Sequence, residues 1–158
     1  MKDPRLLFVC TGNTGRSVCA ETLTRLQLQA RGLEAAVFSR GLSVDPSHRG
    51  AEAPALALWA RRGVDLSRHV AQSLEAADAQ AADVILCATR EHRDQVLARY
   101  PAAGRKAFTL AQYAGSGAEL EDAFGKPMVA YQAMLTELER QIPLIIDRLL
   151  AEFETEPR

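Results

Sequence analysis

The sequence predicts an α/β fold, a parallel β-sheet with helices on both faces, and three observations carry that expectation. Apolar runs of strand length alternate along the chain with stretches whose apolar residues recur at helical spacing. Strands joined through helices run parallel, because the helical crossover returns the chain to the same end of the sheet. The first apolar run ends abruptly in the polar, glycine-punctuated loop GNTGRS. That places the loop at the carboxyl end of a strand, where sheets of this class bind ligands.

The elements follow in order. Arg5 to Cys10 is a short apolar run and reads as a buried strand. Ser17 to Ala30 sets Ala20, Leu23, Leu26 and Leu28 at helical spacing, with Gly32 where a helix stop belongs. Ala35 to Ser39 is the second strand, and a loop rich in Gly, Ser, Asp and Pro comes after it. A helix covers roughly Pro54 to Arg62 and stops at Gly63. Ala82 to Ala88, ADVILCA, is the clearest buried strand of the chain. Arg90 to Arg99 reads as a helix stopped near Pro101, and Ala107 to Leu110 as a fourth short strand. A long loop from Gly115 to Pro127 leads to an amphipathic helix, Met128 to about Glu152. Pro143 falls inside that helix, where its missing N–H predicts a bend or a split. From about residue 153 the polar end of the chain, closing in ETEPR, reads as a flexible tail.

Composition removes several function classes. A chain of 158 residues suits one domain spanning 1–158 with a core of its own. A net charge of -1 leaves no electrostatic footprint for nucleic acid, so no nucleic-acid partner is expected. No apolar run approaches the ~20 residues of a membrane span, and Leu6 to Cys10 is too short for a signal-peptide core. Three cysteines, Cys10, Cys19 and Cys87, form no disulfide framework. The expected setting is cytoplasmic, with no membrane partner.

The opening loop sets one thiol, Cys10, and one guanidinium, Arg16, with five residues between them. A nucleotide loop fits poorly: only Asn13 and Thr14 separate Gly12 from Gly15, Arg16 stands where a Walker loop needs Lys, and the third glycine of a dinucleotide fingerprint is absent. Zinc fits poorly too, since Cys10 and Cys19 are too far apart for a knuckle and His48, His69 and His92 show no ligand spacing. No metal and no cofactor are expected. A nucleophile in an anion cradle fits best. Thr11, Gly12, Asn13, Thr14, Gly15 and Ser17 turn successive N–H groups toward a tetrahedral oxyanion, and the helix starting near Arg16 adds the positive end of its dipole. A thiolate there is suited to attack phosphorus and form a phosphocysteine, while Arg16 holds two equatorial oxygens.

VCTGNTGRSVCAE resembles the phosphate-binding loop of the low-molecular-weight protein tyrosine phosphatase family. The likeness continues through SRG at Ser39, RHVAQSL from Arg68, ADVILCATREHRDQV from Ala82, KAFTLAQY from Lys106 and LEDAFG from Leu120. The resemblance implies a three-layer α/β/α fold with a four-stranded parallel sheet, and a metal-independent, two-step hydrolysis. It implies a general acid at Asp122, matching an Asp-Pro-aromatic motif in which Ala123 here replaces the proline and Phe124 is the aromatic. It also implies that Asn13 keeps the loop in shape with Ser17, Ser39 and His69 as partners. Ser17 is further expected to hydrogen-bond Cys10. Cys19 and Cys87 read as core residues. The thioredoxin-coupled arsenate reductases share this fold, but their relay needs a second cysteine that Thr89 to Val96 lacks.

Thr14 bears on the substrate. By the resemblance, phosphotyrosine branches carry a bulky aliphatic residue at that place, and the arginine-phosphatase branch carries Thr in a C-T-G-N-T run. Phe124 offers a flat wall to either a phenol ring or a guanidinium plane. The loop GLSVDPSHRG, where phosphotyrosine enzymes tend to carry a second aromatic, has none. The expected activity is therefore hydrolysis of phosphoarginine on phosphorylated proteins, with phosphate or a similar oxyanion seated in the loop. The alternatives are a tyrosine phosphatase of the same family and an inactive phosphate-binding module.

Overall fold

In the computed structural model, which describes residues 3–153, four strands form one parallel sheet in the order β2-β1-β3-β4. They are β1 (Arg5–Cys10), β2 (Ala36–Gly41), β3 (Val84–Cys87) and β4 (Ala107–Thr109). Alternation along β1 makes the two faces. Leu6, Phe8 and Cys10 join one buried cluster, and Leu7 and Val9 the other, all five at most 2% exposed. Burying such a side chain contributes ~1.5–3 kcal/mol.

The first face packs against α1 (Arg16–Ala30), α2 (Ala53–Ala60), α5 (Leu110–Ala114) and α6 (Met128–Phe153). The second packs against α3 (Ala76–Ala81), α4 (Arg90–Arg99) and a 3₁₀ turn, Pro101–Arg105. The expected three-layer arrangement is the one observed. Among the described residues no helix is long and apolar enough to cross a membrane.

Gly32 ends α1 as its sequence position requires. Its φ of +65° lets the Leu33 N–H turn back to the Leu28 carbonyl at 2.9 Å. Where the structure departs from the expectations, short range is the reason. α3 and α5 have six and five residues, too few to display a period, and each starts instead on a capping box. Thr109 and Gln112 make the second of these, so Leu110 begins α5 rather than ending β4. β3 is shorter than expected by two residues at its start and one at its end, and α2 stops two residues early.

Pro143 does not split α6, which runs as one helix through Phe153. A proline inside a helix costs ~3 kcal/mol. Ile142, Ile145, Ile146 and Leu149, each no more than 1% exposed, surround it with packing worth more than that. Of the tail expected from about 153, Phe153 closes α6, and 154–158 lie outside the described residues. Arg40 faces away from the loop: it lies 5.2 Å over the Phe38 ring and bonds Asp78 at 3.1 Å, tying β2 to α3.

Candidate active site

Cys10 is the last residue of β1, and its register partner on β2 is Gly41. The thiol therefore emerges at the carboxyl end of a central strand, directly ahead of α1. Its Sγ lies 3.0 Å from Ser17 Oγ and accepts the Asn13 N–H at 3.3 Å. A sulfur anion at this point has two donors in place. α1 adds to them, because its N-cap is Gly15, without a side-chain cap, and its first turn holds no acidic residue. The positive end of a 15-residue helix is left to whatever sits in the loop.

Asn13 holds that loop closed. It takes the left-handed backbone conformation, φ +57°, which Asn tolerates better than most side chains. Its amide nitrogen donates to Ser17 Oγ at 2.8 Å and to Ser39 Oγ at 2.9 Å. Its amide oxygen accepts the Gln72 N–H at 3.0 Å, and Ser39 in turn donates to Glu21 at 2.5 Å. His69 meets Asn13 differently, with Nε2 donating to the backbone carbonyl at 2.7 Å. The three side chains matched to Asn13 from the sequence do converge on it. Gln72 and Glu21 join them without any signal in the sequence.

Arg16 opens α1 and is 8% exposed. Its guanidinium donates to the Leu120 carbonyl at 3.2 Å and to Thr11 Oγ1 at 3.4 Å, and lies 3.9 Å from Asp122 Oδ2. Leu120 also donates its N–H to the Ala88 carbonyl at 3.0 Å, which fastens the 115–127 loop to the end of β3. Asp122 stands on that loop with its side chain 62% exposed, and its carboxylate accepts the Phe124 N–H at 3.0 Å. Ala123, in the place of the family's proline, is 4% exposed and packs in the core. Phe124 is 63% exposed and presents its ring to solvent.

These residues border a cleft of about 200 Å³ with Cys10, Gly12, Thr14, Gly15 and Arg16 along its floor. Asp122 and Phe124 form one wall, and Ser43, Asp45 and His48 another. Ser47 donates both its N–H (2.9 Å) and its hydroxyl (2.7 Å) to Asp45, which holds that carboxyl below the usual range and keeps it charged. Glu52 and Tyr131 also line it. Neither is marked in the sequence, since Glu52 is one polar residue in the loop ahead of α2 and Tyr131 one residue of the last helix. Among the described residues no group of three or more His, Cys, Asp or Glu is arranged to hold a metal ion.

His92 is a further residue that sequence reasoning missed, since a lone histidine on a short helix carries no signal. It is 5% exposed and spans two hydroxyls, Thr11 at 2.8 Å from Nε2 and Thr89 at 2.9 Å from Nδ1. Burial, followed by the nearby Arg16 charge, pulls its pKa from 6.5 down to about 4. The unfolded chain then binds a proton between those values that the folded chain refuses, so stability rises with pH across that window and is lost toward pH 4. The full window amounts to roughly 3 kcal/mol. His92→Gln is expected to flatten the pH 4–6.5 slope of urea-unfolding free energy relative to wild type. Equal slopes would rule out His92 as its source. Cys19 and Cys87 behave as core residues: both are buried, and burial pushes each thiol up to about 12.

Comparison with known proteins agrees with this geometry. The family described as low molecular weight phosphotyrosine protein phosphatase matches residues 5–155. A protein-arginine-phosphatase of Geobacillus stearothermophilus is 36% identical over 155 residues, covering 96% of this chain and 97% of its own. The low molecular weight protein-tyrosine-phosphatase Etp of Escherichia coli K12 is 33% identical over 140 residues, 89% of this chain and 90% of its own. Among solved structures, the YwlE arginine phosphatase, in a cysteine-to-serine mutant with a phosphorylated active-site serine, superposes with a TM-score of 0.88 at 28% identity. It covers 95% of this chain and 98% of its own. This chain belongs to the low molecular weight phosphotyrosine protein phosphatase family.

Proposed function

We propose that this chain is a protein phosphatase, acting as a single domain through a phosphocysteine on Cys10, and that its substrate is phosphoarginine on proteins. The observation that carries the reaction is the meeting of the Cys10 sulfur, the Asn13 N–H, the start of α1 and the Arg16 guanidinium at one cleft. In the first step the Cys10 thiolate attacks phosphorus, the bond to the leaving nitrogen breaks, and Asp122 gives that nitrogen a proton. Arg16 and the loop N–H groups hold the equatorial oxygens as charge builds on them. In the second step the Asp122 carboxylate takes a proton from water, the oxygen attacks phosphorus, and the P–S bond breaks. Inorganic phosphate leaves and the thiolate returns, with Ser17 Oγ 3.0 Å away to donate to it.

Asp122 is the acid in this reading because it stands 3.9 Å from Arg16 at the mouth of the cleft. Asp122→Asn is expected to lower kcat on phosphoarginine by roughly 10²–10⁴-fold, with Glu121→Gln near wild type. Normal turnover in Asp122→Asn with loss in Glu121→Gln would reverse the assignment.

The preference for arginine rests on the walls. The Ser43–His48 side contributes the charged Asp45 and no tyrosine, tryptophan or phenylalanine, a surrounding suited to a cationic leaving group. The arginine-phosphatase relatives support the same substrate. A phosphotyrosine substrate is the second reading, favoured by the exposed Phe124 ring, which accepts a phenol face as readily as a guanidinium plane. Turnover of matched phosphoarginine and phosphotyrosine peptides decides between them. Wild type is expected to favour phosphoarginine, and Thr14→Ile to shift the ratio toward phosphotyrosine by about tenfold. An unchanged ratio would remove Thr14 from substrate choice. A cytoplasmic setting fits the proposal, since the nucleophile must stay a free thiol.

A further inference from the structure

Glu52 is placed oddly for an oxyanion site, since a carboxylate in the cleft wall works against binding of a phosphate dianion. It is nonetheless firmly held. Its N–H donates to the Thr14 carbonyl at 2.9 Å, and its Oε1 accepts the Thr14 hydroxyl at 3.2 Å. Its other oxygen accepts the Tyr131 hydroxyl. A second observation is independent of these bonds: a Cβ built on Gly15 would lie 2.8 Å from Glu52 Oε2 and 3.1 Å from both Oε1 and Cδ. The glycine of the phosphate loop is thus what gives the carboxylate its room.

The chemical consequence runs through Thr14. A hydroxyl has one proton and two lone pairs, and a carboxylate can only accept. With its proton committed to Glu52, Thr14 Oγ1 meets the cleft as an acceptor. A phosphorylated guanidino group presents N–H donors around its bridging nitrogen, whereas the bridging oxygen of an aryl phosphate has only lone pairs. The negative wall acts in the same direction, since a guanidino leaving group brings a positive charge and a phenol brings none.

We propose that Glu52, clamped between the Thr14 and Tyr131 hydroxyls, is a positioning residue that fixes Thr14 as an acceptor and selects a phosphorylated guanidinium over an aryl phosphate. This rests on the phosphoarginine reading. The test measures kcat/KM for matched phosphoarginine and phosphotyrosine peptides in wild type, Glu52→Gln, Glu52→Ala and Gly15→Ala. Glu52→Ala is expected to lower the phosphoarginine-to-phosphotyrosine ratio about tenfold, chiefly by loss of phosphoarginine turnover. Glu52→Gln keeps an acceptor without the charge and should fall between Glu52→Ala and wild type. Gly15→Ala, which displaces the carboxylate, should lower the ratio in the wild-type background and have little further effect on it in Glu52→Ala.

A wild type without preference for phosphoarginine would overturn the substrate reading itself. A wild type that prefers phosphoarginine, with the ratio unchanged in Glu52→Ala, would overturn the role of Glu52 alone. Equal losses on both substrates would make Glu52 a structural brace and also overturn the proposal.

Discussion

Cys10→Ser is expected to abolish turnover of any phosphorylated substrate, by about 10⁴-fold or more, while leaving the fold and phosphate binding in place. The substitution is nearly isosteric at a residue 2% exposed, and its neighbours Ser17 Oγ and the Asn13 N–H both bond an oxygen as well as a sulfur. What changes is the nucleophile, because an oxygen replaces the more nucleophilic sulfur. The check has three readings: turnover of a generic aryl phosphate, calorimetric affinity for inorganic phosphate, and thermal melting. Lost turnover with retained phosphate affinity is the expected pattern. Turnover within tenfold of wild type would exclude Cys10 as the nucleophile. A wild-type protein that binds phosphate and never turns over the aryl phosphate would instead be a binding module.

Arg16→Lys is expected to cost about 10²–10³-fold in kcat, although it keeps the positive charge. The Leu120 carbonyl and Thr11 hydroxyl orient the guanidinium plane, and the side chain is 9% exposed, so the fork has one direction in which to point. Two parallel N–H groups match two equatorial phosphate oxygens as they spread toward the transition state. A lysine ammonium in the same space supplies one point charge without the planar pair of parallel N–H groups. Single-turnover kinetics separate the chemical step from release. Near-normal kcat in Arg16→Lys, with Arg16→Ala inactive, would reduce the role of Arg16 to charge alone.

The sheet and the cradle were legible because their signals are local. LLFVC and VILCA are continuous apolar runs of strand length bounded by polar residues, and CTGNTGRS packs thiol, turn residues and guanidinium into eight positions. The side chains that meet Asn13 were legible only through resemblance, since Ser39 and His69 lie 26 and 56 residues away in sequence. Gln72, His92, Glu52 and Tyr131 were not legible at all. Gln72 contributes a backbone N–H, His92 a ring nitrogen and Glu52 an N–H and a carboxylate, with Tyr131 bonding Glu52, and a single polar residue in a helix or loop has no period and no spacing. Their roles exist only after β1, α2, α4 and α6 have been brought to one end of the sheet. α3 and α5 were missed for a related reason, since capping boxes start them and no repeat extends them.

The contact between Gly15 and Glu52 also limits the routes by which this loop can change its sequence. Any side chain at position 15 competes for space with the Glu52 carboxylate, which Tyr131 and Thr14 hold from the other side. A lineage carrying both residues can lose Glu52 first and enlarge position 15 afterwards, with an open cleft wall at each stage. The opposite order passes through a protein in which a new methyl group presses on a tethered carboxylate inside the phosphate cradle. Only the first of the two mutational orders avoids that collision, so positions 15 and 52 are sterically coupled.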